Sequence, residues 1–459
     1  MLMKRKDFFT LLKIYGFTWI LILVVFFVLN VYNGNSFTNA LEFLPELLVS
    51  KSFQLIAHGV FLVCCLVFIV LRYSYRTYKK KGWKVALKQI SLQFILPIGI
   101  LFSIYAFVVN KNMNENFDYS WNTSIENKTG NVTDLYTVDG KHRGMSVFGW
   151  HRENETLFAD LTRNNIEWVA VTPFFFQKNE QTKVMRTPKE VGKWTRRDSS
   201  YINFIGQLHD KNIRVNLKPH LWMNEGWRSN INFETDEEWA TWFESYRKNM
   251  IHYSKMAALT QVELLCVGTE LKTSLKQQPE AWLALIKEIK TIYKGKLTYA
   301  ANWDDIFDQT EFWSTMDYVG VQAYFPLTKE KAPELLTIKK GWERHITELE
   351  KLSQKFNKPI LFTEIGYRSD ESATIKPWEW DTSFSKLSKK KSDKTQQLAY
   401  EAMFQSLWHK KWFKGAYIWQ WDTRSTEENA PQNLDFTPRF KPAENTIAKW
   451  YGSPSEDLK

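Results

Sequence analysis

The chain reads as an α/β protein: a (β/α)8 TIM barrel preceded by three transmembrane helices. Three observations predict this. Three apolar stretches precede residue 110, eight short β-branched and aromatic runs follow residue 140, and amphipathic helical patterns alternate with those runs.

The apolar stretches run about 14–32, 53–71 and 90–109, each near the roughly 20 residues a spanning helix needs. Pro97 and Gly99 in the third are tolerable inside a membrane. A signal peptide would be shorter and would end in a small-residue cleavage site, which the first stretch lacks. Lys4, Arg5, Lys6 and Lys13 precede the first stretch, and Lys51 is the one basic residue in the loop after it. Arg72, Arg76, Lys79, Lys80, Lys81, Lys84 and Lys88 crowd the next loop. Basic flanks stay inside, so the N-terminus is expected in the cytoplasm and everything past residue 110 outside it.

Charge divides the chain in the same place. Residues 1–111 carry a net +10, and the remainder carries +1. A nucleic-acid binder would show its basic stripe on the folded domain, so nucleic acid is excluded as a partner. The lipid bilayer is the expected partner of the basic segment. The three regions are therefore 1–110, a membrane anchor; 111–139, a polar linker expected to be a solvated tether; and 140–459, the barrel domain. Of the three cysteines, Cys64 and Cys65 lie in the second apolar stretch and Cys266 in a strand-like run. None looks like half of a disulfide or part of a metal cluster. No metal or cofactor is expected.

The strand-like runs are 144–149, 167–174, 213–219, 263–269, 297–302, 318–324, 359–364 and 415–421, with amphipathic stretches such as 199–212, 236–258 and 340–357 between them. An open doubly wound sheet is the competing arrangement, but no glycine-rich nucleotide turn follows the first run. A barrel places its chemistry at the C-terminal strand tips. Polar and aromatic residues collect there: Trp150 and His151, Phe174 to Gln177, Lys218, His220 and Trp222, Thr269 and Glu270, Asn302 to Asp304, Gln322 and Tyr324, Glu364 and Tyr367, and Trp419 to Asp422.

Glu270 ends the fourth run and Glu364 the seventh. Either glutamate alone is compatible with a solvated loop residue. Together, on strands four and seven, they have the layout of a retaining glycosidase, in which two carboxylates about 5 Å apart act as acid/base and nucleophile. Glu364 would attack the anomeric carbon, and Glu270 would protonate the leaving oxygen, with a pKa raised partly by the second carboxylate. Tyr324 is placed to hydrogen-bond the nucleophile. Lys218 and His220 either contact sugar hydroxyls or shape the acid's surroundings, and Asn302 lines the same rim. An indole offers a pyranose a flat apolar face. Nineteen of the 21 tryptophans follow residue 110; Trp150, Trp222, Trp303, Trp419 and Trp421 are the candidates to line a cleft. Lys376–Asp381 (KPWEWD) is either an acceptor-subsite wall or a packed lid.

These stretches together resemble a family. GMSVFGW (144–150), VNLKPHLW (215–222), VGTEL (267–271), QAYFPL (322–327), FTEIGY (362–367) and WQWD (419–422) look like glycoside hydrolase family 113 of clan A, whose described activity is endo-β-1,4-mannanase. The resemblance covers roughly 140–452. It implies acid/base Glu270, nucleophile Glu364 and an adjoining Tyr324, acting on a mannose-containing polysaccharide or oligosaccharide. One departure stands out. Thr269 occupies the position before the acid/base where most of the clan has an asparagine that contacts the 2-hydroxyl. The alternatives left open are another sugar specificity in the clan, a catalytically silent glycan-binding module, and an accessory protein of polysaccharide export.

Overall fold

The computed structural model describes residues 5–32, 41, 48, 51–115, 119–150, 154–304, 306, 310–382 and 385–455. His151 therefore lies outside the described residues. The chain divides into two compact units, Met1–Val108 and Val109–Lys459.

The first unit is helical, and three helices are long and apolar enough to cross a membrane: Phe9–Leu29, Phe53–Lys81 and Trp83–Met113. Their large side chains, such as Phe17, Leu62 and Phe102, are exposed, an arrangement stable in lipid and unfavourable in water. A π turn at Ser91–Ile95 interrupts the third helix. It precedes Pro97, which has no N–H to give the carbonyl of Gln93, and a widened turn accommodates the loss.

The second unit is the barrel. Its strands in chain order are β1 (His142–Phe148), β2 (Trp168–Val171), β3 (Phe174–Gln177), β4 (Arg214–Leu217), β5 (His220–Met223), β6 (Leu264–Thr269), β7 (Lys296–Asn302), β8 (Tyr318–Gln322), β9 (Ile360–Ile365) and β10 (Phe413–Asp422). Eight of them close in the order β1-β10-β9-β8-β7-β6-β4-β2, and every pairing is parallel.

The runs expected at 167–174 and 213–219 each stop early, because Pro173 and Pro219 cannot donate to a ladder. Beyond each proline the chain pairs again. β3 and β5 form a separate parallel ribbon, bridged to the barrel by Lys218 N–H to Val171 O and His220 N–H to Pro173 O, both 2.8 Å. This ribbon carries the site residues of β5 above the barrel mouth. On β6, Gly268 makes room for aromatic packing. A Cβ there would meet Tyr299, Trp282 and Tyr246 at 2.8–2.9 Å, and the Tyr246 hydroxyl donates to Val267 O at 2.8 Å.

The linker differs from expectation. Residues 119–139 lie hydrogen-bonded along the barrel domain. The buried Glu167 carboxylate accepts from Leu135 N–H at 2.6 Å, Tyr136 N–H at 2.8 Å and the Thr133 hydroxyl at 3.1 Å. Glu444, also buried, accepts from the Tyr119 hydroxyl at 2.9 Å and from Arg163 at 2.7 Å. Arg163 in turn sits 4.5 Å from the centre of the Trp121 ring. A few groups of this segment thus satisfy buried acids of the barrel, while many of its polar side chains still face water.

Candidate active site

Glu270 leaves the end of β6 in a left-handed conformation, φ 54°. An L side chain adopts this region at a cost, and such strain concentrates at functional positions. Three contacts hold the turn: Glu270 N–H to Ala300 O on β7 at 2.9 Å, Ser229 Oγ to Glu270 O at 2.7 Å, and Leu271 N–H to the Tyr299 hydroxyl at 2.6 Å. The carboxylate is buried, 6% exposed, and its Oε2 accepts from Arg228 Nε at 3.1 Å. Arg228 stands on a 3-10 turn, Arg228–Asn230, and is itself tied to Leu221 O at 2.9 Å. Burial pushes the Glu270 pKa up; Arg228 opposes the rise and Glu364 adds to it. The influence of Glu364 on Glu270 puts the two glutamates in one electrostatic site.

Glu364 sits within β9, 5% exposed. Lys218 Nζ donates to Oε1 at 2.8 Å, while Gln322 Nε2 and the Tyr324 hydroxyl donate to Oε2 at 2.8 and 3.1 Å. Lys218 is wholly buried and also donates to Gln322 Oε1 at 2.8 Å and Thr363 O at 3.1 Å. Gln322 is thus the pivot, accepting from the ammonium and from Thr363 Oγ1 while donating to the carboxylate. His220 Nε2 lies 3.8 Å from Glu364 Oε1 without a hydrogen-bond partner. Burial, with Lys218 and Arg228 adding, holds its pKa well below the ordinary value, so the imidazole is neutral and makes no ion pair. The proximity of Glu364 pushes the Tyr324 hydroxyl further up after burial has raised it; it stays a phenol and donates.

The structure brings Glu270, Glu364, His220 and Tyr324 to one place. Trp222, half exposed, stands on the β3–β5 ribbon with its edge against Phe174 at 5.7 Å. Trp303 and Trp419 are partly exposed at the tips of β7 and β10. Asn302 spends its Oδ1 on Trp303 N–H at 3.0 Å. Two expected sugar faces are instead packing residues. Trp150 has its ring stacked on Phe204 at 4.4 Å with Tyr201 against it at 5.5 Å. Trp421 is 1% exposed, with Arg439 at 5.8 Å from its ring centre. Phe204 covers one face of the Trp150 ring, and the Trp421 ring is buried beside Arg439. Arg228 escaped the sequence reading altogether, because its turn has no periodicity to mark it. Among the described residues no group of three or more His, Cys, Asp or Glu side chains is arranged to hold a metal ion.

The model of Glycoside Hydrolase Family 113 matches residues 147–441. The chain belongs to glycoside hydrolase family 113. Solved relatives agree in fold. A GH113 β-1,4-mannanase in a complex is 25% identical with a TM-score of 0.58, over 68% of this chain and 99% of that one. The GH113 β-mannanase AaManA from Alicyclobacillus acidocaldarius, in complex with ManMIm, is 25% identical with a TM-score of 0.57, over 68% and 97%. No curated protein matches the chain. The family 113 enzyme is a glycoside hydrolase, and the matched region holds both glutamates and all their hydrogen-bond partners.

Proposed function

We propose that this family 113 enzyme is a retaining β-glycoside hydrolase acting on β-1,4-mannan or a mannose-containing oligosaccharide. The observation that carries the reading is the unlike partnering of two buried carboxylates, Glu270 held by Arg228 and Glu364 by Lys218, Gln322 and Tyr324. Glu364, fixed by Lys218, Gln322 and Tyr324, is the nucleophile. It bonds to the anomeric carbon as the glycosidic C–O bond breaks. Glu270, whose pKa is raised by burial, gives its proton to the leaving oxygen. It then takes a proton from the water that attacks the glycosyl-enzyme, releasing Glu364. Mannose as the sugar rests on the solved family members that are mannanases. Thr269, shorter than asparagine, leaves room beside the C2 substituent.

The three apolar helices act as a membrane anchor, and the basic loops around the first two place the N-terminus in the cytoplasm with the barrel outside. The test uses full-length enzyme in detergent with β-mannan, mannooligosaccharides, cellulose and xylan, beside its Glu364→Gln variant. Reducing ends released from mannan by the wild type alone are expected, and proton NMR of the fresh product should show the β-anomer. An initial α-product refutes retention, and cleavage of cellulose or xylan in preference to mannan refutes the sugar assignment.

A further inference from the structure

The loop after β9 contains a Trp-Glu-Trp triplet whose two indoles separate. Trp378 is 41% exposed and stacks on Trp303 at the tip of β7, with centroids 5.4 Å apart and planes at 23°. Trp380 is 62% exposed and turns the other way, its edge on Trp419 at the tip of β10, 6.2 Å away. The residue between them is held from beneath. Arg368, 1% exposed, donates to the Glu379 carbonyl, and its Nε is paired with buried Asp370 at 2.7 Å. Trp303 is backed by buried Phe325 at 5.9 Å. A large, water-exposed aromatic stack needs a reason, and here it is built on a buried charge rather than lying loose on the surface.

Resting on the proposed glycosidase reading, we infer that Trp303 and Trp378 form a sugar-binding wall on the leaving-group side of the scissile bond, taking pyranose units of the departing chain. The side follows from the barrel order. β7 is the neighbour of β6, which carries the proton donor Glu270, and the leaving oxygen must lie next to that donor. Trp380 and Trp419 lie past β9 on the opposite side, where the sugar bonded to Glu364 extends. A stacked indole presents an apolar face to the C–H groups of a pyranose and one N–H to its hydroxyls.

The test compares two substrates on full-length enzyme. Mannopentaose has sugars on both sides of the cleaved bond, whereas 4-nitrophenyl β-mannobioside has no sugar on the leaving side. Trp378→Ala should lower kcat/KM on mannopentaose at least about tenfold and on the aryl glycoside less than about threefold. Trp380→Ala should lower both together. Equal losses on the two substrates in Trp378→Ala overturn the assignment. A wild type that cleaves neither compound defeats the mannan reading, not the wall. In that case manno-, cello- and xylopentaose are titrated into Glu364→Gln enzyme and tryptophan emission is followed. Affinity weakened by Trp378→Ala sustains the wall, and unchanged affinity or no binding of any sugar overturns it.

Discussion

Replacing Arg228 by methionine should move the alkaline limb of the pH–rate profile to higher pH. In the proposed mechanism that limb reports loss of the proton on Glu270, which there must be protonated to expel the leaving group. The charged groups acting on Glu270 are Arg228 and Lys218, which lower its pKa, and Glu364, which raises it, all against a larger rise from burial. Removing the arginine deletes the strongest lowering influence, so the carboxyl holds its proton to higher pH. At 3.1 Å, Coulomb's law at an effective dielectric constant of ~20 gives about 5 kcal/mol. At ~1.4 kcal/mol per pH unit, this bounds the displacement near 4 pH units. Water entering the vacated space reduces it, and carboxylates beside arginine generally move by about 1–3, so we expect ~1–2. The assay is kcat/KM against pH on full-length enzyme, with Arg228→Lys as the charge-retaining control and thermal unfolding to check integrity. Arg228→Lys should keep its limb close to the wild type's. A limb in Arg228→Met that stays put, or moves to lower pH, refutes the pairing as the control on Glu270.

Three further outcomes are expected. Lys218→Met leaves the Glu364 carboxylate buried without its ammonium partner; it should cost about 3–5 kcal/mol of stability in urea unfolding and at least roughly 100-fold in kcat. Arginine should not rescue it, because three acceptors within 3.1 Å fit one compact ammonium. A chain beginning at residue 140 removes all three donors that Glu167 takes from Thr133, Leu135 and Tyr136. It should unfold at least about 3 kcal/mol more easily than one beginning at residue 109; equal urea midpoints would return the segment to the role of a loose tether. His142 is wholly buried, and burial first, then Lys296, Arg214 and Lys414, hold its pKa well below 6.5. The unfolded chain binds this proton and the native one does not, so the stability is present above the unfolded value and is lost as pH falls below it. The melting temperature should drop from about pH 7 to about pH 5, and drop less in His142→Gln.

How much was legible in the sequence depended on whether a signal was local. Glu270 and Glu364 each terminate a strand pattern, and a barrel turns that local fact into a position at the catalytic rim. The strand breaks at Pro173 and Pro219 are equally local, although only the structure shows the ribbon that forms beyond them. Tryptophans behave differently, because the same indole packs or binds according to what covers its face. Phe204 covers Trp150 and Arg439 lies against Trp421, and neither partner shares an element with its tryptophan. The linker misled for the same reason. Its polar composition looked solvated, but Thr133, Tyr119 and the backbone N–H groups of Leu135 and Tyr136 meet two buried glutamates on the barrel, and composition carries no record of partners.

The partners of the two glutamates also bear on which oxygen does what. Both oxygens of Glu364 are engaged, one by Lys218 and the other by Gln322 and Tyr324, and as the proposed nucleophile a carboxylate so fixed would lose little orientation on attack. On Glu270, Arg228 occupies Oε2, and among the described residues no protein donor reaches Oε1. A proton placed on Oε2 would oppose the arginine's N–H, so in the proposed mechanism Oε1 would carry the proton to the leaving group. The arginine therefore has two opposed effects: it orients the carboxyl with Oε1 open, and it lowers the pKa that burial has raised. Arg228→Met should separate them. The alkaline limb moves up because the charge is gone, while kcat at the new optimum falls because the carboxyl is free to turn. A variant with a raised limb and an undiminished kcat would show that charge, and not orientation, is what Arg228 contributes.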